Sequence, residues 1–90
     1  MKEIRYSSQF RKDFKRYRNQ PDKLNRLNTL LCYLENELPI PPIYRPHILS
    51  GQYDRHMECH IQGDFLLIWY DESSNTIVLE RLGSHSELFK

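Results

Sequence analysis

The run Phe65-Leu-Leu-Ile-Trp-Tyr70 constrains this chain most. It is apolar on both parities. A strand sends alternate side chains to opposite faces, so this run predicts a central strand covered on both sides. Ninety residues supply one modest core, and the expectation is a single domain over 1–90. No apolar run approaches the roughly 20 residues needed to span a bilayer. The N-terminal Met1-Lys-Glu-Ile-Arg-Tyr6 has no apolar signal core. A cytoplasmic protein with no membrane partner is therefore expected.

Upstream of that run, His56 to Ile61 alternates. His56, Glu58 and His60 fall on one parity, and Met57, Cys59 and Ile61 on the other. Gln62-Gly63 reads as a two-residue turn, which makes a hairpin with a titratable face. That turn sets His60 opposite Phe65 and places the ring beside the imidazole. On a helix, His56 and His60 at i and i+4 could grip one metal ion. On a strand they lie about 13 Å apart, at roughly 3.3 Å per residue, and cannot. The His-x-Glu of zinc deaminases needs a Pro-Cys-x-x-Cys that does not follow. No metal and no cofactor are expected.

Lys2 to Tyr6 is a short strand candidate. Ser7 or Ser8 can cap a helix through Tyr17, with Phe10, Phe14 and Tyr17 sharing a core-facing side. Asn19-Gln20-Pro21-Asp22 breaks the chain, and Asp22 can cap a second helix from about Lys23 to Glu37. Its seam is Leu24, Leu27, Leu31, Leu34 and Leu38. The two helices read as an αα-hairpin. Pro39 to Pro46 is a stiff crossover, and Ile48 to Gly51 a turn into the hairpin. Thr76 to Leu82 is the last strand, with Glu80 and Arg81 on opposite faces. Ser84-x-x-Glu87 is a capping-box pattern for one final helical turn. The order β-α-α-β-β-β gives an α+β domain with a mainly antiparallel sheet and an N-terminal helical hairpin packed on it.

The net charge of +1 hides an asymmetry. Residues 1–26 carry nine Lys/Arg against three acids, a net of +6, and the remainder carries four against nine, a net of −5. A basic first third fits an anionic partner such as a phosphate backbone, and it equally fits a solvated helix surface. Cys32 and Cys59 sit on expected apolar faces and read as buried reduced thiols.

His47, His60 and His85 accompany Glu58, Asp64 and Arg81 in the second half. Imidazole can give or take a proton near neutrality. RNA cleavage without metal needs a base for the 2′-OH, an acid for the leaving 5′ oxygen, and a cation for the charge on phosphorus. An aromatic ring can stack on the splayed base. Each histidine alone reads as well as a structural residue. A non-catalytic RNA-binding module and a pure protein-interaction partner are the rival readings, and neither needs several imidazoles around one phosphate.

Several stretches, spread in order over nearly the full length, carry a family resemblance: Tyr6-Ser7-x-Gln9-Phe10-x-Lys12-Asp13, Leu38-Pro39-x-Pro41-x-x-Tyr44, His47-x-Leu49-x-Gly51, Glu58-x-His60-x-x-x-Asp64-Phe65-Leu66-Leu67-Ile68, and Glu80-Arg81-x-Gly83-x-His85-x-x-Leu88-Phe89. The chain resembles the YafQ-type toxins of the RelE superfamily, the mRNA interferases of bacterial type II toxin–antitoxin pairs. The resemblance implies ribosome-dependent cleavage of translated mRNA and neutralisation by a cognate antitoxin in a heteromeric complex. By position it implies catalytic roles for His47, His60, Asp64 and His85, a phosphate contact for Arg81, and substrate handling for Phe89. Glu58 stands where an Asp is common and Phe65 where a Trp is found, so both are expected at the substrate. His85 is then the expected general acid, and His60, helped by Asp64 or His47, the base. Ribosomal RNA becomes the expected partner of Arg11, Lys12, Lys15 and Arg16.

Overall fold

The computed structural model describes residues 1–89. In order the elements are β1 (Glu3–Tyr6), α1 (Ser8–Lys15), α2 (Pro21–Glu35), β2 (His47–Ile48), β3 (Met57–Gln62), β4 (Phe65–Ser73), β5 (Thr76–Gly83) and α3 (His85–Leu88). Short 3-10 turns occupy Pro42–Tyr44 and Gly51–Tyr53. One five-stranded sheet runs β1-β5-β4-β3-β2. β1 lies parallel to β5, and the other pairings are antiparallel. This is the expected α+β class with one strand more. At two residues β2 is too short for periodicity to reveal, yet it pairs His47 with Glu58.

β4 is central because its side chains are apolar both ways. Phe65, Leu67 and Trp69 face a core shared with Cys59, Ile61, Leu79 and Leu82 and with Phe10, Tyr17, Leu27, Leu30 and Leu34 of the helical region. Leu66 and Ile68 face a second cluster, closed by Tyr53 and Leu88. Burying each such side chain stabilises the fold by roughly 1.5–3 kcal/mol, so both sides of the strand hold the sheet. The smaller cluster also fastens the C-terminal helix, through Leu88, to the face that carries the histidines.

β1 reaches only as far as Tyr6 opposite Leu79. Beyond it α1 takes over the edge of β5. Ser7 N–H donates to Leu79 O at 3.0 Å and Ser7 Oγ donates to Glu80 O at 2.8 Å. The same hydroxyl caps α1 by accepting from Phe10 N at 2.9 Å. One turn on, Asp13 Oδ2 accepts the next free edge amide, Leu82 N–H, at 3.0 Å. A carboxylate among Arg11, Lys12, Lys15 and Arg16 is thus 1% exposed. Phe14, expected in the core, is exposed instead, because docking against the strand edge turns Asp13 inward.

α2 starts at Pro21 after Gln20, with Asp22 inside the first turn rather than at the cap. Its buried face centres on Leu27, Leu30 and Leu34, while Leu24 and Leu31 are half-buried and Leu38 lies exposed past its end. The helices do not close on each other. A groove of about 730 Å³ lies between them, lined by Tyr6, Phe10, Phe14, Leu24, Leu27 and Leu31. Cys32 is exposed on α2, against expectation; Cys59 is buried, and burial pushes its thiol up to about 12.

Two irregularities re-aim side chains. The register of β3 and β4 slips between His60 and Gln62, so Leu66, not Phe65, sits opposite His60. The turn residues are Gly63 and Asp64, one later than expected, with Gly63 at φ 55. In β5, Arg81 pairs with Ile68 and Leu79 with Trp69, which leaves Glu80 as the extra residue of a bulge. Glu80 and Arg81 therefore share the histidine face instead of facing opposite ways, and Glu80 Oε2 lies 3.9 Å from His56 Nε2.

Candidate active site

Four elements bring the histidines into one row. His47 comes from edge strand β2, His60 from β3 and His85 from the first turn of α3, while Asp64 comes from the β3–β4 turn. Ring centroids are 6.1 Å apart for His47–His60 and 5.8 Å for His60–His85. Phe89 continues the row at 5.5 Å from His85. The β2–β3 pairing explains the first step, because His47 faces Glu58, two residues from His60 on the same side of the sheet.

At one end Glu58 lies between two imidazoles. Its Oε1 is 3.1 Å from His47 Nε2 and 3.6 Å from His60 Nε2. The side chain is 3% exposed, and Oε2 is buried without a hydrogen-bond partner. His47 Nδ1 lies 2.8 Å from Arg45 O, and a carbonyl only accepts, so Nδ1 carries a proton. His47 Nε2 is thereby turned toward Glu58 Oε1. Glu58 was expected at the substrate. It is instead buried against His47 and His60.

At the other end the pair is exposed. Asp64 Oδ1 accepts from His85 N–H at 3.0 Å and lies 2.9 Å from His85 Nδ1. These bonds hold the Asp64 carboxyl below its ordinary range, the backbone amide contributing most. With Nδ1 held by a carboxylate, Nε2 is the nitrogen left to exchange a proton with a ligand. Asp64 was expected to help His60; in the structure its partner is His85.

Arg81 lies on the same face but forms no hydrogen bond to the histidines. Its Nε donates to Asp13 Oδ2 at 2.8 Å, Nη2 donates to Asp13 Oδ1 at 3.3 Å, and Nη1 donates to Tyr53 Oη at 2.9 Å. Bonding to Asp13 raises its pKa above the usual arginine value. Among the described residues, two of its five N–H donors have no partner. Tyr53 Oη in turn donates to Leu88 O at 3.1 Å, and its ring meets Phe89 edge-on at 5.5 Å. Phe65 is not in the site. It is buried on the helix side, 4.7 Å from the Tyr17 ring, because the β3 irregularity turns it away from His60.

The C-terminal turn that carries His85 and Phe89 is pinned at its base. Ser84 and Glu87 form the expected capping box. Glu87 Oε1 accepts from Tyr17 Oη at 2.6 Å and from Ser84 N at 2.8 Å, and Arg16 Nη1 lies 3.4 Å from Oε2. These donors lower the Glu87 pKa, and burial raises that of Tyr17. Gly83, at φ 154, lets Glu87 fold back, since a Cβ there would lie 2.7 Å from Oε1. Asp13, Tyr17, Tyr53 and Glu87 are the site-supporting residues that sequence reading missed. The capping box was the one available signal, and it pointed only to Glu87.

The basic residues of α1 and its C-cap differ in their surroundings. Arg11 and Lys15 flank the interhelical groove, whereas Arg16 is tied to Glu87 and, at 3.7 Å, to Asp13. Lys12 lies exposed on the adjoining face.

The family described as "Bacterial toxin of type II toxin-antitoxin system, YafQ" matches residues 2–90. The chain is 34% identical over 89 residues to the mRNA interferase toxin YafQ of Escherichia coli K12, covering 98% of this chain and 96% of that protein. It superposes on the E. coli DinJ-YafQ toxin-antitoxin complex with a TM-score of 0.85 at 32% identity, over 99% of this chain and 98% of that one. A metal-bound toxin from Helicobacter pylori is 39% identical with a TM-score of 0.87, over 99% of this chain and 100% of its own. In the present chain no three His, Cys, Asp or Glu side chains among the described residues are arranged to hold a metal ion. The near-complete family match, the relatives' identity and the shared fold lead to one conclusion: this chain belongs to the YafQ family of type II toxin–antitoxin toxins.

Proposed function

We propose that the chain is an mRNA interferase that cleaves translated mRNA on the ribosome by protic catalysis, without a metal, in the cytoplasm, and that a cognate antitoxin neutralises it. The observation that carries this reading is the row of three imidazoles at about 6 Å spacing, with a carboxylate at each end. A binding module gains nothing from such an arrangement. Attack of a 2′-OH on the adjacent phosphorus expels a 5′ oxygen, so a base and an acid are needed on opposite sides of one phosphate. His60, beside the Glu58–His47 pair, takes the 2′-OH proton. His85 Nε2 gives its proton to the leaving oxygen, with Asp64 holding the ring. Arg81 turns the N–H groups not bonded to Asp13 or Tyr53 to the phosphorane-like transition state, and Phe89 stacks on a base. An antitoxin partner is supported by the relative solved in complex with DinJ.

The test is a reconstituted translation system with and without the protein. Cleavage of a translated message, and none when initiation is blocked, is expected. Equal cleavage of translated and untranslated message would remove the ribosome from the account. Reversing Lys12 and Lys15 to Glu is expected to weaken ribosome association and flatten its salt dependence. Arg16 is left intact in this variant because it anchors Glu87.

A further inference from the structure

A second concavity opens beside the histidine row. It is about 380 Å³ in volume, and its lining includes Arg26 of α2, Tyr44 and Arg45 of the crossover, His60 of β3 and Gln62 at the hairpin end, together with the apolar Ile43 and Ile61. Both arginines are exposed. Among the described residues neither forms an ion pair. Arg16 and Arg81, by contrast, are each held by carboxylates. Two arginines without an acidic partner at one concavity give it a positive potential that favours an anion. Guanidinium geometry matches phosphate in particular. The volume falls within the range of small-ligand pockets and suits one nucleotide.

The cavity is also tied to the row. Arg45 adopts φ 48 at the end of the Pro42–Tyr44 turn, and its carbonyl accepts from His47 Nδ1. The residue whose carbonyl fixes His47 thus also lines the cavity. His60 lines it, and neither His85 nor Asp64 does. The cavity lies on the side of His60, where the preceding section puts the base, and this inference rests on that assignment. We propose that Arg26 and Arg45 clamp the RNA phosphodiester on the 5′ side of the nucleotide whose 2′-OH attacks, and so position that nucleotide against His60.

The RNA phosphate could belong to the message or to ribosomal RNA, and single methylphosphonate linkages in the message distinguish the two. Single-turnover cleavage would be measured on programmed ribosomes with three messages: unmodified, neutralised at the phosphate 5′ of the attacking nucleotide, and neutralised one linkage 3′ of the scissile bond. With the wild-type protein the 5′ substitution is expected to slow cleavage at least about tenfold, as loss of a charge-assisted contact does, and the 3′ substitution is not. The Arg26→Gln/Arg45→Gln variant is expected to be slowed comparably on the unmodified message and to be indifferent to the 5′ substitution. Wild-type indifference to the 5′ substitution overturns the proposal without any variant, and a slow variant alongside it assigns the arginines to ribosomal RNA. A variant that keeps full sensitivity to the 5′ substitution also overturns it. If wild-type protein fails to cleave even the unmodified message, the cleavage reading itself falls and this inference falls with it.

Discussion

The two ends of the histidine row solve the same problem in opposite ways. At the His47–His60 end one carboxylate is buried, serves two imidazoles through a single oxygen and leaves the other oxygen without a partner. At the His85 end the carboxylate is exposed, serves one imidazole and is also held by that residue's backbone amide. A buried carboxylate that is only half satisfied is costly to keep. An exposed one costs little and acts mainly by holding a ring in place. The buried end therefore sets two rings against one carboxylate, and the exposed end leaves its imidazole open to a ligand.

The largest expected effect breaks the exposed end. His85→Gln keeps hydrogen bonding but cannot transfer a proton, so cleavage should fall at least about 100-fold. Because His85 is exposed, stability should stay within about ±0.5 kcal/mol. Single-turnover cleavage together with urea denaturation checks both. Undiminished cleavage would move the acid role to His47 or His60. An unfolded variant would make His85 a structural residue instead.

A paired substitution sharpens the contrast between the carboxylates. Glu58→Gln removes the buried carboxylate, and cleavage should drop between about tenfold and a hundredfold as His47 and His60 lose their alignment. Asp64→Asn keeps an oxygen that can accept from His85, so its loss should stay below about tenfold. Equal losses in the two variants would erase the distinction drawn between the ends.

The smallest effect concerns the base of α3. The Glu87 carboxylate is stabilised by Tyr17 Oη, then by Ser84 N–H, so its folded pKa is depressed. A depressed acid contributes stability that is present above the unfolded value, ordinarily 4.5, and lost as pH falls through the folded value. Wild-type protein should therefore lose, on acidification below about pH 4.5, a contribution typical of a helix cap, about 1 kcal/mol, that a Glu87→Gln variant lacks at every pH. Denaturation curves of both proteins between neutral and acid pH measure it. Parallel curves would show that Glu87 does not fasten the turn by charge.

What could be read beforehand follows from how local each signal is. The two-sided apolar run of β4, the parity of Glu58 and His60, and the Ser84–Glu87 box depend on near neighbours in the chain, and all three appear in the fold. The side of Phe65 depended on a slip of one residue near the hairpin turn, and such a slip exchanges the faces of a strand. The shared face of Glu80 and Arg81 depended on a bulge. The burial of Asp13 depended on where β1 stops, since only a shortened β1 leaves the Leu82 amide free for a side chain. Strand β2 was invisible at two residues, and with it the reason Glu58 serves two histidines.

The central claim is that cleavage proceeds by 2′-OH attack between a proton acceptor and a proton donor. The end groups of the cut message test it most directly. Attack by the 2′-OH leaves a 2′,3′-cyclic phosphate, or the 3′-phosphate that follows from its opening, on the upstream fragment, and a free 5′-OH on the downstream one. The account predicts these ends, and no cleavage of a message carrying a 2′-deoxy sugar at the attacking position. A 3′-OH paired with a 5′-phosphate, or unimpeded cutting at the deoxy position, would mean that water attacks instead and would contradict the account.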